Sequence, residues 1–148
     1  LYVKPNKIGW KFRMILNEAN INVSSIADVF NQAFMDISDI ESDRFNIRGE
    51  QTTFRCIVDT KHKRIEFMDF TNAGDLAWHQ LDKTINKLNE DLVFASFSLV
   101  KLDDGRLGVY SKHELTFERG IITYHIVAQA RMFEKLICYA YDRLREAA

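Results

Sequence analysis

The apolar residues between Phe45 and Phe67 recur at every second position through three consecutive segments, with polar turns between them. Phe45 and Ile47 alternate, and Arg48-Gly49-Glu50-Gln51 turns the chain. Phe54, Cys56 and Val58 then alternate with Thr53, Arg55 and Ile57. After the polar connection Asp59-Thr60-Lys61-His62-Lys63, Ile65 and Phe67 resume the pattern. Short polar connections join strands as hairpins, and hairpins make antiparallel pairs. A parallel pair needs a crossover of roughly a dozen residues or more. Strands arriving in runs therefore select an antiparallel α+β sheet over a doubly wound one.

Helical spacing brackets these strands. Ile26, Val29, Phe30, Ala33, Phe34 and Ile37 share one face, with Ser24 or Ser25 as the N-cap and Asp28 as a carboxylate near the helix start. Asn72-Ala73-Gly74-Asp75 breaks the strand run, and Trp78, Leu81, Ile85, Leu88 and Leu92 predict a second helix. Val93, Ala95, Phe97 and Leu99 then line one face of a strand, and Asp103-Asp104-Gly105 marks a hairpin turn. Leu107 and Val109 form the return strand, Leu115 and Phe117 a further one, and Arg119-Gly120 ends it. The last helix shows Ile122, Ile126, Ala130, Phe133, Ile137, Tyr141 and Leu144 along one side, and Arg143 and Arg145 suit its negative end. The expected order is α-βββ-α-ββ(β)-α, an antiparallel sheet with flanking helices, in one domain over residues 1–148. Residues 1–22 are the least patterned, with Ile8, Phe12, Ile15 and Leu16 suggesting a short helix that ends at Asn20.

Charge narrows the function. Lys plus Arg (20) nearly cancels Asp plus Glu (21), which argues against a nucleic-acid binder and its basic stripe. Lys61-His62-Lys63-Arg64 reads as a solvated turn. No apolar run approaches the roughly 20 residues of a membrane span; the stretch from Ile121 to Ala130 is interrupted by Tyr124, His125 and Gln129. No charged n-region precedes an apolar core and a small-residue cleavage site. Cys56 and Cys138 sit among apolar neighbours and are expected as buried free thiols, which suits a reducing, cytoplasmic compartment.

The sequence offers no reaction centre. Among His62, His79, His113 and His125 no two stand at a metal-ligand spacing, and neither cysteine belongs to a Cys-x-x-Cys pair. His79 and His125 are expected at the margin of the core. The glycines stand singly, without a phosphate-cradling pattern. Asp103-Asp104-Gly105 followed by Glu114 has calcium-loop spacing, but Leu107, Val109 and Tyr110 between them read as a strand. Glu66 and Asp69 share no evident cleft. No catalytic residue, metal ligand or cofactor site is therefore assigned. Met68 and Phe70 fall out of phase with Phe67, so either a bulge buries them or the strand is apolar on both faces. On the face opposite Phe54 and Phe67 they would join Ile57 in a candidate protein-contact patch.

From about Thr53 to Glu146 the chain resembles the YbjN family of small bacterial proteins. The resemblance rests on Phe54-Arg55-Cys56-Ile57-Val58-Asp59, Ile85-Asn86-Lys87-Leu88-Asn89, the strand pair around Asp103-Asp104-Gly105-Arg106-Leu107, and Phe117-Glu118-Arg119-Gly120 before a long terminal helix. The helix from Ile26 to Ile37 fits too. What the resemblance implies is a type III secretion chaperone-like fold, in proteins that dimerise and grip polypeptides and are described as candidate sensory-transduction regulators. No catalytic residue comes with it.

The expected function is a non-enzymatic bacterial protein-binding module, chaperone-like or regulatory. It is expected as a homodimer that buries Ile57, Met68 and Phe70 across a two-fold axis, without nucleic acid, membrane or cofactor. The alternative is a small-ligand binder or enzyme with a pocket around Trp78, His79 and Tyr110.

Overall fold

The computed structural model describes residues 14–74 and 77–147. The expected short helix at the N-terminus lies mostly outside the described residues. Its end is a two-residue strand, β1 (Ile15–Leu16), followed by a 3-10 turn at Glu18–Asn20.

Helix α1 (Val23–Gln32) starts earlier than the sequence suggests, because Asn22, not Ser24 or Ser25, is its cap. The Asn22 side chain accepts from the Ser25 N–H at 2.9 Å, and the Asn22 N–H donates to Ser25 Oγ at 3.0 Å. This reciprocal pair satisfies two donors at the helix start. Asp28 lies beyond the first turn. The helix also ends early. Met35 N–H donates to Phe30 O at 3.0 Å while Phe34 takes a left-handed φ of 61°, the Schellman arrangement that glycine usually fills. Ile37, expected on this helix, lies instead in strand β2 (Asp36–Ser38), opposite Ile47.

Strands β3 (Arg44–Arg48), β4 (Thr53–Asp59) and β5 (Arg64–Asn72) follow as hairpins, then helix α2 (Trp78–Asp91), then β6 (Ser96–Lys101) and β7 (Leu107–Thr116). Leu115 continues the return strand instead of opening a new one. The pair β8 (Ile121–Ile122) and β1 lies apart from the main sheet, and α3 (Thr123–Glu146) closes the described chain. The main sheet has six strands in the order β2-β3-β4-β5-β7-β6, antiparallel throughout. The fold class is thus α+β, as the hairpin runs require.

One face of the sheet carries the core. Phe45, Ile47, Phe54, Cys56, Val58, Ile65, Phe67, Phe97 and Val109 point inward, beneath Phe30 of α1 and Phe133 and Ile137 of α3. The phenyl rings of Phe30 and Phe45 meet edge to face at 6.0 Å, and those of Phe54 and Phe133 at 5.5 Å. Helix α2 packs Leu81, Ile85 and Leu88 toward this core beside β6. Its Asn89 reaches the sheet edge. There Asn89 Nδ2 donates to Phe97 O at 2.8 Å and accepts, through Oδ1, the Phe97 N–H at 2.9 Å. The carboxamide stands where a neighbouring strand would.

Candidate functional site

Strand β5 shows no bulge. It pairs with β7 without interruption from Arg64↔Thr116 to Asn72↔Gly108, so strict alternation holds and Met68 and Phe70 point away from the core. Ile57 on β4 shares that outer face, diagonal to Met68, which stands opposite Arg55 on one side and Lys112 on the other. The structure thus brings the three residues of the candidate patch onto one face. Phe70 is 41% exposed, while Met68 and Ile57 are half-buried. Opposite Tyr110, the Phe70 ring lies over Gly108, where any side chain would collide with it. A shallow hollow of about 270 Å³ opens beside the patch, lined in part by Asn46, Thr53, Arg55, Met68 and Phe70.

A charged ladder borders the patch. Tyr110 Oη donates to Glu66 Oε1 at 3.3 Å, and Lys112 Nζ lies 3.7 Å from Glu66 and 2.7 Å from Glu114. Arg64 links Glu114 to Asp59, each at 3.3 Å, and the His62 ring meets Asp59 at 2.8 Å. The hydrogen bond from Lys112 holds the Glu114 carboxyl below its ordinary range, and that same bond raises the ammonium. Asp59 is held at about 2, chiefly by the backbone N–H of His62 and then by its ring. Burial, then the Glu66 charge, pushes the Tyr110 phenol up. Each carboxylate of the ladder has a cation beside it. The apolar patch is therefore framed by satisfied charges, the pattern of a contact surface with a polar rim.

Other expected positions fall elsewhere. Trp78 and His79 are exposed at the start of α2, and Tyr110 belongs to the ladder, so they form no common pocket with one another in the clefts described. His79 and His125 are exposed, not packed at the core margin. The packed histidine is His113. Its ring stacks on Phe94 at 3.8 Å, with Nδ1 2.6 Å from Phe94 O and Nε2 2.9 Å from Gln129 Oε1. Asp103-Asp104-Gly105 is the β6–β7 turn, with Gly105 at φ 84°. No group of three or more metal-ligating side chains occurs among the described residues. Cys56 is a buried free thiol pushed well up by burial; Cys138 is free but only half-buried, raised by burial and then by Glu134.

Sequence reasoning missed Glu134. This carboxylate, on the core side of α3, accepts the N–H groups of Gln51 at 2.6 Å and Thr52 at 3.0 Å. Gly49 makes room for it, since a Cβ there would collide with the carboxylate. A cleft of about 400 Å³ adjoins this latch, between Phe34, Arg48, Glu50, Arg131 and Lys135.

No family model matches the sequence, and no curated protein matches it. Solved structures do match the fold. YbjN from E. coli, described as a candidate transcription regulator, superposes with a TM-score of 0.68 at 14% identity, over 84% of this chain and 90% of that one. An uncharacterized protein from Methanothermobacter thermautotrophicus gives 0.63 at 10% identity, over 85% and 98%. A chain of the HopA1-SchA chaperone–effector complex gives 0.51 at 12% identity, over 82% and 91%. With its helices on an antiparallel sheet, the chain has the YbjN-like, type III secretion chaperone-like fold.

Proposed function

We propose that the chain is a non-enzymatic bacterial protein-binding module, chaperone-like or regulatory, that acts in the cytoplasm as a homodimer. It takes its partner polypeptide on the open sheet face at Ile57, Met68 and Phe70. The observation that carries this reading is the uninterrupted β5 register, which holds two apolar side chains of one strand outside the core, next to Ile57. An apolar cluster framed by paired charges has the composition of a contact surface. Support comes from the likeness to a chain of a chaperone–effector complex. None of the described helices is long and apolar enough to cross a membrane.

The test is affinity capture from the source cell with the wild-type chain, Met68→Asp and Ile57→Asp, each checked for folding by circular dichroism. A specific polypeptide should be retained by the wild type and lost by both variants. A charge desolvated in the contact costs a few kcal/mol, a hundredfold or so in affinity. Retention by folded Asp variants removes this face from the reading. A metabolite that raises the melting temperature, with no polypeptide captured, favours a ligand-binding or enzymatic role instead.

A further inference from the structure

The sheet has two edges, β2 and β6. Asn89 closes β6 at Phe97 by taking both backbone groups that face outward there. Among the described residues, no side chain does this for β2. The Gly49 N–H donates to Thr52 O at 2.9 Å and the Val58 N–H to Asp43 O at 2.7 Å, so the odd-numbered residues of β3 bond to β4. Asn46 and Arg48 therefore bond β2 through their partners Ser38 and Asp36. Between these, the N–H and C=O of Ile37 face away from the sheet.

Two large apolar side chains bracket this edge. Phe34 is 86% exposed and Ile40 62%, and each lies three residues from Ile37. Phe34 also holds a left-handed backbone, a conformation that costs about 1–2 kcal/mol for a residue with a Cβ. The ring stays largely in solvent within the monomer.

We infer that β2 is a self-pairing edge: a second copy of this chain adds its own β2 antiparallel, about a two-fold axis at Ile37. The symmetry of the residues selects this occupant. Pairing centred on Ile37 exchanges its N–H and C=O with those of Ile37 in the copy, and brings Phe34 of each chain to the end where Ile40 of the other lies. Asp36 meets Ser38, so no like charges oppose each other across the strands. Arg48, Arg131 and Lys135 line the neighbouring cleft with Asp36 and Glu50, and none of the five is in an ion pair. Such a mixed surface is complementary to itself under a two-fold, where residue i meets j and j meets i. The inference rests on the homodimer of the reading above. It places the two-fold contact at the sheet edge in place of the one expected at Ile57, Met68 and Phe70, and leaves those three residues free for the partner.

The test combines light scattering with amide hydrogen exchange on the purified chain at about 1 and about 100 μM, a range that brackets micromolar self-association. The wild type should be dimeric at the higher concentration, with exchange of the Ile37 amide slowed about tenfold or more relative to the lower one. Ile37→Pro removes the outward N–H and no β2–β3 bond, and Phe34→Gly removes the anchor. Each should weaken dimerisation at least about tenfold, while Met68→Asp remains dimeric. If Ile37→Pro fails to fold, Phe34→Gly and the wild-type exchange decide. A wild type monomeric at the higher concentration overturns both the inference and the homodimer. A dimer whose Ile37 amide exchanges freely, or one lost in Met68→Asp and kept in Phe34→Gly, overturns the inference alone. Protection of Ile37 only when a foreign polypeptide binds assigns the edge to that partner and also overturns it.

Discussion

Glu134 shows how much one side chain decides here. Its carboxylate holds the β3–β4 turn to α3 through two backbone N–H groups, and Gly49 leaves the space it fills. Glu134→Ala leaves the Gln51 and Thr52 donors unpaired and should destabilise by about 2–4 kcal/mol, read as a shift in denaturation midpoint. Gly49→Ala should destabilise through the same latch, and the double variant should be less than additive. Asp69 presents the opposite case. It lies on the inner face of β5, and burial raises its carboxyl pKa against the lowering effect of the Thr71 hydroxyl bond and the Phe70 N–H. A raised folded pKa means that Asp69 does not penalise folding below its unfolded value, near 3.9. Stability is lost as pH rises from there through the folded pKa. Asp69→Asn should thus raise the melting temperature more at pH 7 than at pH 4, and equal gains at both would contradict this. Alternation reads Cys56 as core, and it is. The same logic takes a glutamate on a helix for a solvated residue, so the burial of Glu134 was not legible without the turn that it grips.

At the scale of elements, the strands were legible because period two and polar turns agree over many residues. Helix ends were not. The C-terminus of α1 carries no glycine, since the left-handed position is Phe34, and the helical spacing runs on formally to Ile37 although the chain has already turned into β2. Phe34→Gly should relieve that backbone and stabilise the monomer at low concentration by about 0.5–1 kcal/mol, measured by thermal melting. The β6 edge yields a prediction of the opposite sign. Asn89 lies at the margin of the apolar stripe of α2, one turn from Ile85, and only the fold brings its carboxamide to Phe97. Asn89→Ala frees one donor and one acceptor there, at a cost of about 1 kcal/mol. It also exposes a six-residue edge with its single charge at Lys101. Such an edge recruits strands from other molecules, so turbidity on prolonged incubation should rise above wild type. A folded variant that stays as soluble and as stable as wild type would show that the carboxamide is not the guard.

Over the whole molecule, the division between the two sheet faces separates folding from binding. Phe67 and Met68 are neighbours in sequence, yet one is buried among Phe30, Phe54 and Phe133 while the other faces out between Arg55 and Lys112. That makes the proposed function testable without knowing the partner's identity in advance. Phe67→Asp places an unpaired charge in the aromatic core and should leave no cooperative melting transition. Met68→Asp puts the same carboxylate beside two cations on the open face, and its melting should stay within about 1 kcal/mol of wild type. Partner capture should then fail in Met68→Asp with the fold intact. The histidines supply the control. His79→Gln and His125→Gln change exposed residues remote from the patch and should leave both melting and capture within a few-fold of wild type. His113→Gln loses the stack on Phe94 and should melt earlier, yet a chain still folded at the assay temperature should capture its partner normally. A histidine variant that melts like the wild type but loses all activity would contradict a surface-only mechanism, because removing a titratable group should then matter only through the fold.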